Sequence, residues 1–193
     1  MQFSQLISIL LHPRSEWSRV FVADSGRRSY IRYGLFLTVL MQVAMFIGTA
    51  LKIGELSASG TFVFGWRFLT LYEGIHVILD ISMLYLIPWL LAFLARLFGG
   101  QDNTLHALKL FVFAMTPVWI GLMFLDFPVI GDVAIAGLLY GIILFGIHAG
   151  EAMNIPKNKK SIAYVANTLL CIVTITLLFD AVSTTIASSF YPT

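Results

Sequence analysis

Three titratable residues are spaced to share one face of a single helix. Glu73, His76 and Asp80 stand at positions i, i+3 and i+7. At about 100° per residue, this spacing confines them to an arc of about 60° on an α-helix. Carboxylates are ligands for hard cations, and imidazole titrates near neutral pH. The group therefore predicts a candidate cation-binding or proton-relay site.

The sequence around these residues is apolar and long enough to cross a membrane. Residues 69–98 form one such stretch, and about 20 apolar residues are enough to span the hydrocarbon core. Glu73 is expected at the outer interface, with Asp80 about two turns deeper. An ionised Asp near mid-membrane costs about 2.5 to 3.5 kcal/mol. We therefore expect Asp80 to be neutral, paired, or in contact with water.

Three further acids, Asp126, Asp132 and Asp180, are expected on the same side of the membrane. Two interpretations of the whole set stay open. Either the polar groups satisfy one another, with help from Lys52 or Arg67, or they bind a cation or relay protons. A carboxylate-bridged metal site would need a second Glu-x-x-His helix. The pair His148 and Glu151 is expected at the opposite membrane face, so a shared metal site is disfavoured.

The composition indicates a polytopic membrane protein. Of 193 residues, 59% are hydrophobic and 11% are charged, whereas a soluble domain is roughly half apolar and a quarter charged. The single cysteine, Cys171, excludes an intrachain disulfide and a cysteine-rich zinc site. Hydrolase and nucleotide-binding motifs are absent, so we expect no enzyme activity and no cofactor beyond a possible bound cation. The net charge of +2 does not favour nucleic acid as a partner.

Five apolar stretches predict an all-α bundle of five transmembrane helices. They cover residues 33–53, 69–98, 105–125, 128–149 and 162–187, and clusters of turn-forming residues separate them. We divide the chain into a basic N-terminal segment, 1–32, and a transmembrane domain, 33–193. Residues 1–11 are amphipathic and too short to span, which predicts a helix lying in the membrane interface. The alternative is a helix packed against the cytoplasmic end of the bundle.

Basic residues are distributed unevenly between the two sides of these five stretches. Lys52 and Arg67 fall on one side and the other ten bases on the opposite side. The positive-inside rule then predicts a cytoplasmic N-terminus and an external C-terminus. In the N-terminal segment, the candidates for attracting anionic lipid headgroups are Arg14, Arg19, Arg27, Arg28 and Arg32.

The fourth stretch carries two pairs of glycines spaced four residues apart. Gly137 and Gly141 form one pair, and Gly146 and Gly150 form the other. Small residues at this spacing let helices approach closely, and the two pairs open opposite faces. This predicts that the fourth helix is central, although dimerisation through one face is an alternative. In the third stretch, Pro117 permits a kink and is a candidate helix-packing residue.

Several motifs together resemble the Yip1-domain family. The chain reads His12-Pro13-x-x-x-Trp17 near its start, Gly99-Gly100 before the third stretch, and Phe111-Val112-Phe113-Ala114-Met115-Thr116-Pro117 within it. The resemblance implies a five-helix membrane domain of the short bacterial kind, placed in the inner membrane. Eukaryotic members carry a long cytoplasmic N-terminal region and are linked to Rab GTPases and vesicle traffic. The resemblance carries over no catalytic residue.

Two functions are compatible with these observations. The first is a non-enzymatic protein that organises the membrane or binds a partner, either anionic lipid, another membrane protein or a second copy of itself. The second is a small-ion or proton transporter or channel that uses Glu73, His76 and Asp80. A water-filled cavity reaching Asp80 would favour transport, and a sealed Asp80 would favour the first function.

Overall fold

The computed structural model describes residues 26–58, 66–127, 130–157 and 159–189. The helices in these ranges are α1 (Arg27–Ala58), α2 (Trp66–Leu97), α3 (Thr104–Leu122), α4 (Asp132–Ala152) and α5 (Lys159–Ser189). Each of the five helices is long and apolar enough to cross a membrane. Because the described residues form helices and turns without a strand, the predicted all-α fold with five spans is confirmed. The predicted interfacial helix over residues 1–11 lies outside the described residues.

The outer surface of the bundle is covered by large apolar side chains. Phe36 is 60% exposed, Ile78 is 67% exposed and Leu170 is 65% exposed. Soluble monomers rarely expose apolar patches larger than a few hundred Å². Because helices satisfy their own backbone hydrogen bonds, such a surface is stable in lipid. The chain is therefore an integral membrane protein.

The Gly99-Gly100 pair ends α2 and turns the chain into α3. Gly99 has a φ of +82°, in the left-handed region that favours glycine. Its N–H donates to Arg96 O at 3.2 Å, and the N–H of Gly100 donates to Ala95 O at 2.8 Å. These two bonds form a Schellman motif, which satisfies carbonyl groups at the end of a helix. A Cβ on Gly100 would lie 2.5 Å from Met153 O, so the turn also packs tightly against the end of α4.

The third helix, and not the fourth, is central in the bundle. Thirteen of the 19 residues of α3 are buried, and α3 packs against α1, α2 and α4. In the most apolar part of each helix, 72% of α3 is buried but only 33% of α4. The prediction that the fourth helix is the central one is therefore wrong. The glycine spacing alone indicated close approach without showing how many neighbours approach.

The four glycines of α4 lie in different surroundings. A Cβ on Gly137 would collide with Pro117 O and lie 3.0 Å from the Cα of Gly121, so this position packs directly on the backbone of α3. Gly141 faces Ala114 and Val118 of α3, and Gly150 faces Ser161 of α5. No described atom lies within 4 Å of a Cβ placed on Gly146. The first glycine pair therefore packs against α3. In the second pair, Gly150 packs against α5 and Gly146 has no described neighbour.

Successive helices run in opposite directions, so the bundle has two chemically different ends. The basic end comprises the start of α1, α3 and α5 and the finish of α2 and α4. Six described bases are exposed at this end: Arg27, Arg28, Arg32, Arg96, Lys157 and Lys160. The acidic end, opposite, holds Glu73, Asp126 and Asp180. One further base near the basic end, Lys109, is only 3% exposed, and its ammonium group lies 5.4 Å from the centre of the Tyr30 ring.

Candidate functional site

Asp80 forms a hydrogen bond to α1, the neighbouring helix. The side-chain amide of Gln42 donates to the Asp80 carboxylate. Gln42 is only 6% exposed, and its Oε1 is buried without a hydrogen-bond partner among the described residues. This contact therefore joins α1 and α2 well inside the bundle.

Gln42 belongs to a polar stripe on α1 that sequence reasoning missed. Thr38, Gln42, Thr49 and Lys52 fall within an arc of about 80° on a helix. Thr38 is 1% exposed and Gln42 is 6% exposed, which places the N-terminal half of this stripe inside the bundle. The signal was available, because the same angular argument that groups Glu73 with Asp80 also groups these four residues.

Asp126 lies in the turn after α3 and is brought against α1 by a glycine. A Cβ on Gly48 would lie 2.6 Å from the Asp126 Cβ, so a larger residue there would push the turn away. At this distance Lys52 Nζ donates to Asp126 Oδ1 at 2.7 Å and Thr49 Oγ1 donates to Oδ2 at 3.0 Å. The α3–α4 turn is thereby held against the C-terminal part of α1, at the acidic end.

Glu73 is the most buried acid of the candidate site. It is 8% exposed and lies within electrostatic range of both Asp126 and Asp80. Lys52, a described base of this region, pairs with Asp126. The described carboxylates of Glu73, Asp80 and Asp126 thus lie around the halves of α1 and α2 toward the acidic end. We call Gln42, Thr49, Lys52, Glu73, Asp80 and Asp126 the acidic-end cluster.

His76 lies on the same face of α2 as Asp80, about 40° from it around the helix, but contacts α5 and not α1. Its Nε2 lies 2.8 Å from Ser183 Oγ and 3.8 Å from Asp180 Oδ1. Tyr72 donates its hydroxyl to the same Asp180 oxygen at 3.0 Å, and its ring centre lies 4.4 Å from that of His76. The predicted stripe on α2 therefore divides, with Asp80 bound to α1 and His76 to α5.

Two other predicted acidic positions stay apart from these contacts. Asp132 is exposed in the first turn of α4, where a negative charge interacts favourably with the helix dipole. Glu151 is exposed and His148 is 4% exposed, both near the end of α4 at the basic end. Within the described ranges, no three His, Cys, Asp or Glu side chains come close enough to hold a metal ion.

The family of the chain follows from a comparison that spans most of its length. The model of the Yip1 domain matches residues 7–179, a range that includes α1 to α4 and most of α5. The chain belongs to the Yip1-domain family. The resemblance found in the sequence is thereby confirmed. No curated protein and no solved structure matches this Yip1-domain protein.

The geometry of this Yip1-domain protein explains two of the motifs that carried the resemblance. The Gly99-Gly100 pair forms the α2–α3 turn described above, and the Pro117 carbonyl is the nearest atom to a Cβ on Gly137. Both motifs therefore position helices and do not contribute reactive groups. The contacts of the acidic-end cluster and of His76 likewise connect the helices, joining α1 to α2, α1 to the α3–α4 turn and α2 to α5.

Proposed function

We propose that this Yip1-domain protein is a non-enzymatic membrane protein that organises its bilayer by collecting anionic lipids around its basic end. The supporting observation is the set of six exposed bases at that end, against the exposed acids Asp102 and Glu151. Each base near an anionic surface contributes about 1 kcal/mol of attraction. The excess of bases is therefore large enough to enrich anionic headgroups.

The proposal includes a membrane and an orientation. By the positive-inside rule, the basic end lies in the cytoplasm, where the leaflet carries anionic lipids. The N-terminus is then cytoplasmic and the C-terminus external, in the inner membrane of a bacterium. The acidic-end cluster has a structural role in this arrangement. It holds α2 and the α3–α4 turn against α1, because Asp80 and Asp126 each accept hydrogen bonds from side chains of α1.

Lipid enrichment around the purified protein tests this function. The protein is reconstituted in nanodiscs that contain phosphatidylglycerol and phosphatidylcholine, and the lipids retained after brief detergent treatment are quantified by mass spectrometry. We expect phosphatidylglycerol to be enriched about two- to five-fold over its bulk share. Raising the salt from about 0.05 M to about 0.5 M should reduce the enrichment, because exposed charges are screened.

A control variant removes a described base at the acidic end. Lys52→Gln removes one positive charge there, where Lys52 pairs with Asp126. This variant should retain the same phosphatidylglycerol enrichment as the parent. A parent protein that retains the two lipids in their bulk proportions would contradict the proposed function.

Ion or proton passage is the second candidate, and one observation favours it. Glu73 is buried within electrostatic range of Asp126 and Asp80, and buried acids inside membrane spans often mark ion or proton pathways. In this alternative the acidic-end cluster accepts a cation or proton from the external side, and His76 is a further titratable group of the pathway. The two candidates require different measurements.

Flux into reconstituted vesicles tests the second candidate. If ions or protons pass, Asp80→Asn combined with His76→Ala should abolish the flux while the protein remains folded, because both titratable groups are removed. Asp132→Asn serves as the control, since Asp132 is exposed in the first turn of α4 and should leave flux unchanged. Transport is ruled out if the unaltered protein conducts nothing or if the double variant conducts equally well.

A further inference from the structure

A groove opens at the start of α1, at the basic end of the bundle. It has a volume of about 590 Å³, and its described lining residues are Gly26, Arg28, Ser29, Arg32, Tyr33 and Phe36. The lining combines two cationic side chains and a hydroxyl group with two aromatic rings. Arg28 and Arg32 were among the residues that the sequence indicated for lipid binding, whereas Ser29 and the two aromatic residues were not.

The polar part of the groove suits a phosphate group. Arg28 and Arg32 are one helical turn apart and both are exposed, so their guanidinium groups can approach one ligand from neighbouring positions. Guanidinium groups bind phosphate oxygens in a bidentate geometry, and a serine hydroxyl donates a further hydrogen bond. The described lining contains no acid that would neutralise the arginines.

The apolar part of the groove continues along the surface of α1. Phe36 is 60% exposed, and Val39, Val43 and Ile47 are 48%, 51% and 48% exposed. Together with Arg28 and Arg32, these residues fall within an arc of about 100° on the helix. Val43 lies about 16 Å from Arg32 along the helix axis, which is close to the roughly 15 Å depth of one leaflet. The surface is therefore basic at one end and apolar over the length of an acyl chain.

We propose that this groove is a discrete binding site for one anionic phospholipid. The lipid phosphate binds between Arg28 and Arg32, and an acyl chain lies on Phe36, Val39 and Val43. A phospholipid fits better than a soluble phosphate compound, because the apolar stripe on α1 continues directly from the basic part. The inference rests on the proposed function and adds a defined stoichiometry and a defined set of residues to it.

Paired charge variants test whether the site is discrete. Binding of phosphatidylglycerol to the full-length protein in detergent is measured by native mass spectrometry. Arg28→Gln with Arg32→Gln should weaken binding of the first lipid about ten-fold, which corresponds to about 1.4 kcal/mol. The control is Arg27→Gln with Arg96→Gln, which removes two exposed charges from the same end outside the groove lining. The control should weaken binding clearly less than Arg28→Gln with Arg32→Gln does, because its two charges act on the lipid only through diffuse, screened attraction.

Two further arms test the identity of the ligand. Phe36→Gln keeps the net charge and should weaken lipid binding several-fold. An unchanged affinity would show that the acyl chain does not lie on Phe36. Inorganic phosphate at millimolar concentration should not displace the lipid, and displacement would show that the site recognises phosphate alone.

The outcomes separate this inference from the proposed function. If both double variants lose affinity equally, attraction is diffuse, and the discrete site is overturned while the proposed function stands. If the unaltered protein shows no preference for phosphatidylglycerol over phosphatidylcholine, both are overturned.

Discussion

Gly137→Val is expected to destabilise the protein by about 3 kcal/mol or more, because the new side chain would meet the backbone of a neighbouring helix. Its Cβ alone would collide with Pro117 O and come within 3.0 Å of the Gly121 Cα. Neither atom can move without shifting α3, which is the most buried helix of the bundle. The expected readout is a strongly lowered melting temperature in detergent, or failure to elute as a single folded species.

Gly146→Val is the matched control for this prediction. It makes the same substitution in the same helix, so the change in helix propensity is the same. No described atom lies within 4 Å of a Cβ at Gly146, so the melting temperature should stay near that of the parent. If the two variants have the same melting temperature, the contact between α3 and α4 does not depend on Gly137.

The second large effect concerns the bond between Gln42 and Asp80. Gln42→Leu leaves the Asp80 carboxylate without its described donor inside the membrane span, which should cost about 2 to 3 kcal/mol. Asp80→Leu leaves the amide of Gln42 buried without a partner and should cost about 1 to 3 kcal/mol. The double variant replaces both groups by apolar ones, so it should be more stable than the sum of the single losses indicates. We expect a coupling free energy of about 1 to 3 kcal/mol.

Reversible unfolding of the four proteins in mixed micelles measures this coupling. A second cycle that combines Gln42→Leu with Asp132→Leu provides the control, because Asp132 is exposed in the first turn of α4. That control cycle should be additive within about 0.5 kcal/mol. Additive losses for Gln42 and Asp80 themselves would show that their hydrogen bond does not hold α1 to α2.

The helix count and the separation of charges were predictable from the sequence because both depend on local properties. A span is recognised by its length and apolarity, and Arg27, Arg28 and Arg96 fall at one end simply because successive spans alternate in direction. The helix boundaries differ from the predicted ones where polar residues extend a helix beyond its apolar stretch. The first helix begins at Arg27, several residues before the predicted apolar stretch, because a helix can extend beyond the hydrocarbon.

The angular grouping of Glu73, His76 and Asp80 also followed from the sequence, since it depends only on the geometry of one helix. The residue that each of them contacts on a neighbouring helix did not follow from the sequence. Asp80 is bound by Gln42 of α1 and His76 by Ser183 of α5, and residues in contact here are 38 and 107 positions apart along the chain. The sequence contains no local signal for such distances.

What the sequence by itself determined is therefore the existence, the length and the order of five membrane-spanning helices, together with the sign of the charge at each end. Only the tertiary structure decided that α3 is central, that Gly48 brings Asp126 to Lys52, and that the stripe on α2 is shared between two neighbours. The physical reason is that lipid is as apolar as the helix surfaces, so hydrophobicity inserts each helix without choosing its neighbours. That choice depends on close backbone approach and on a few polar contacts, which form only when the helices pack together.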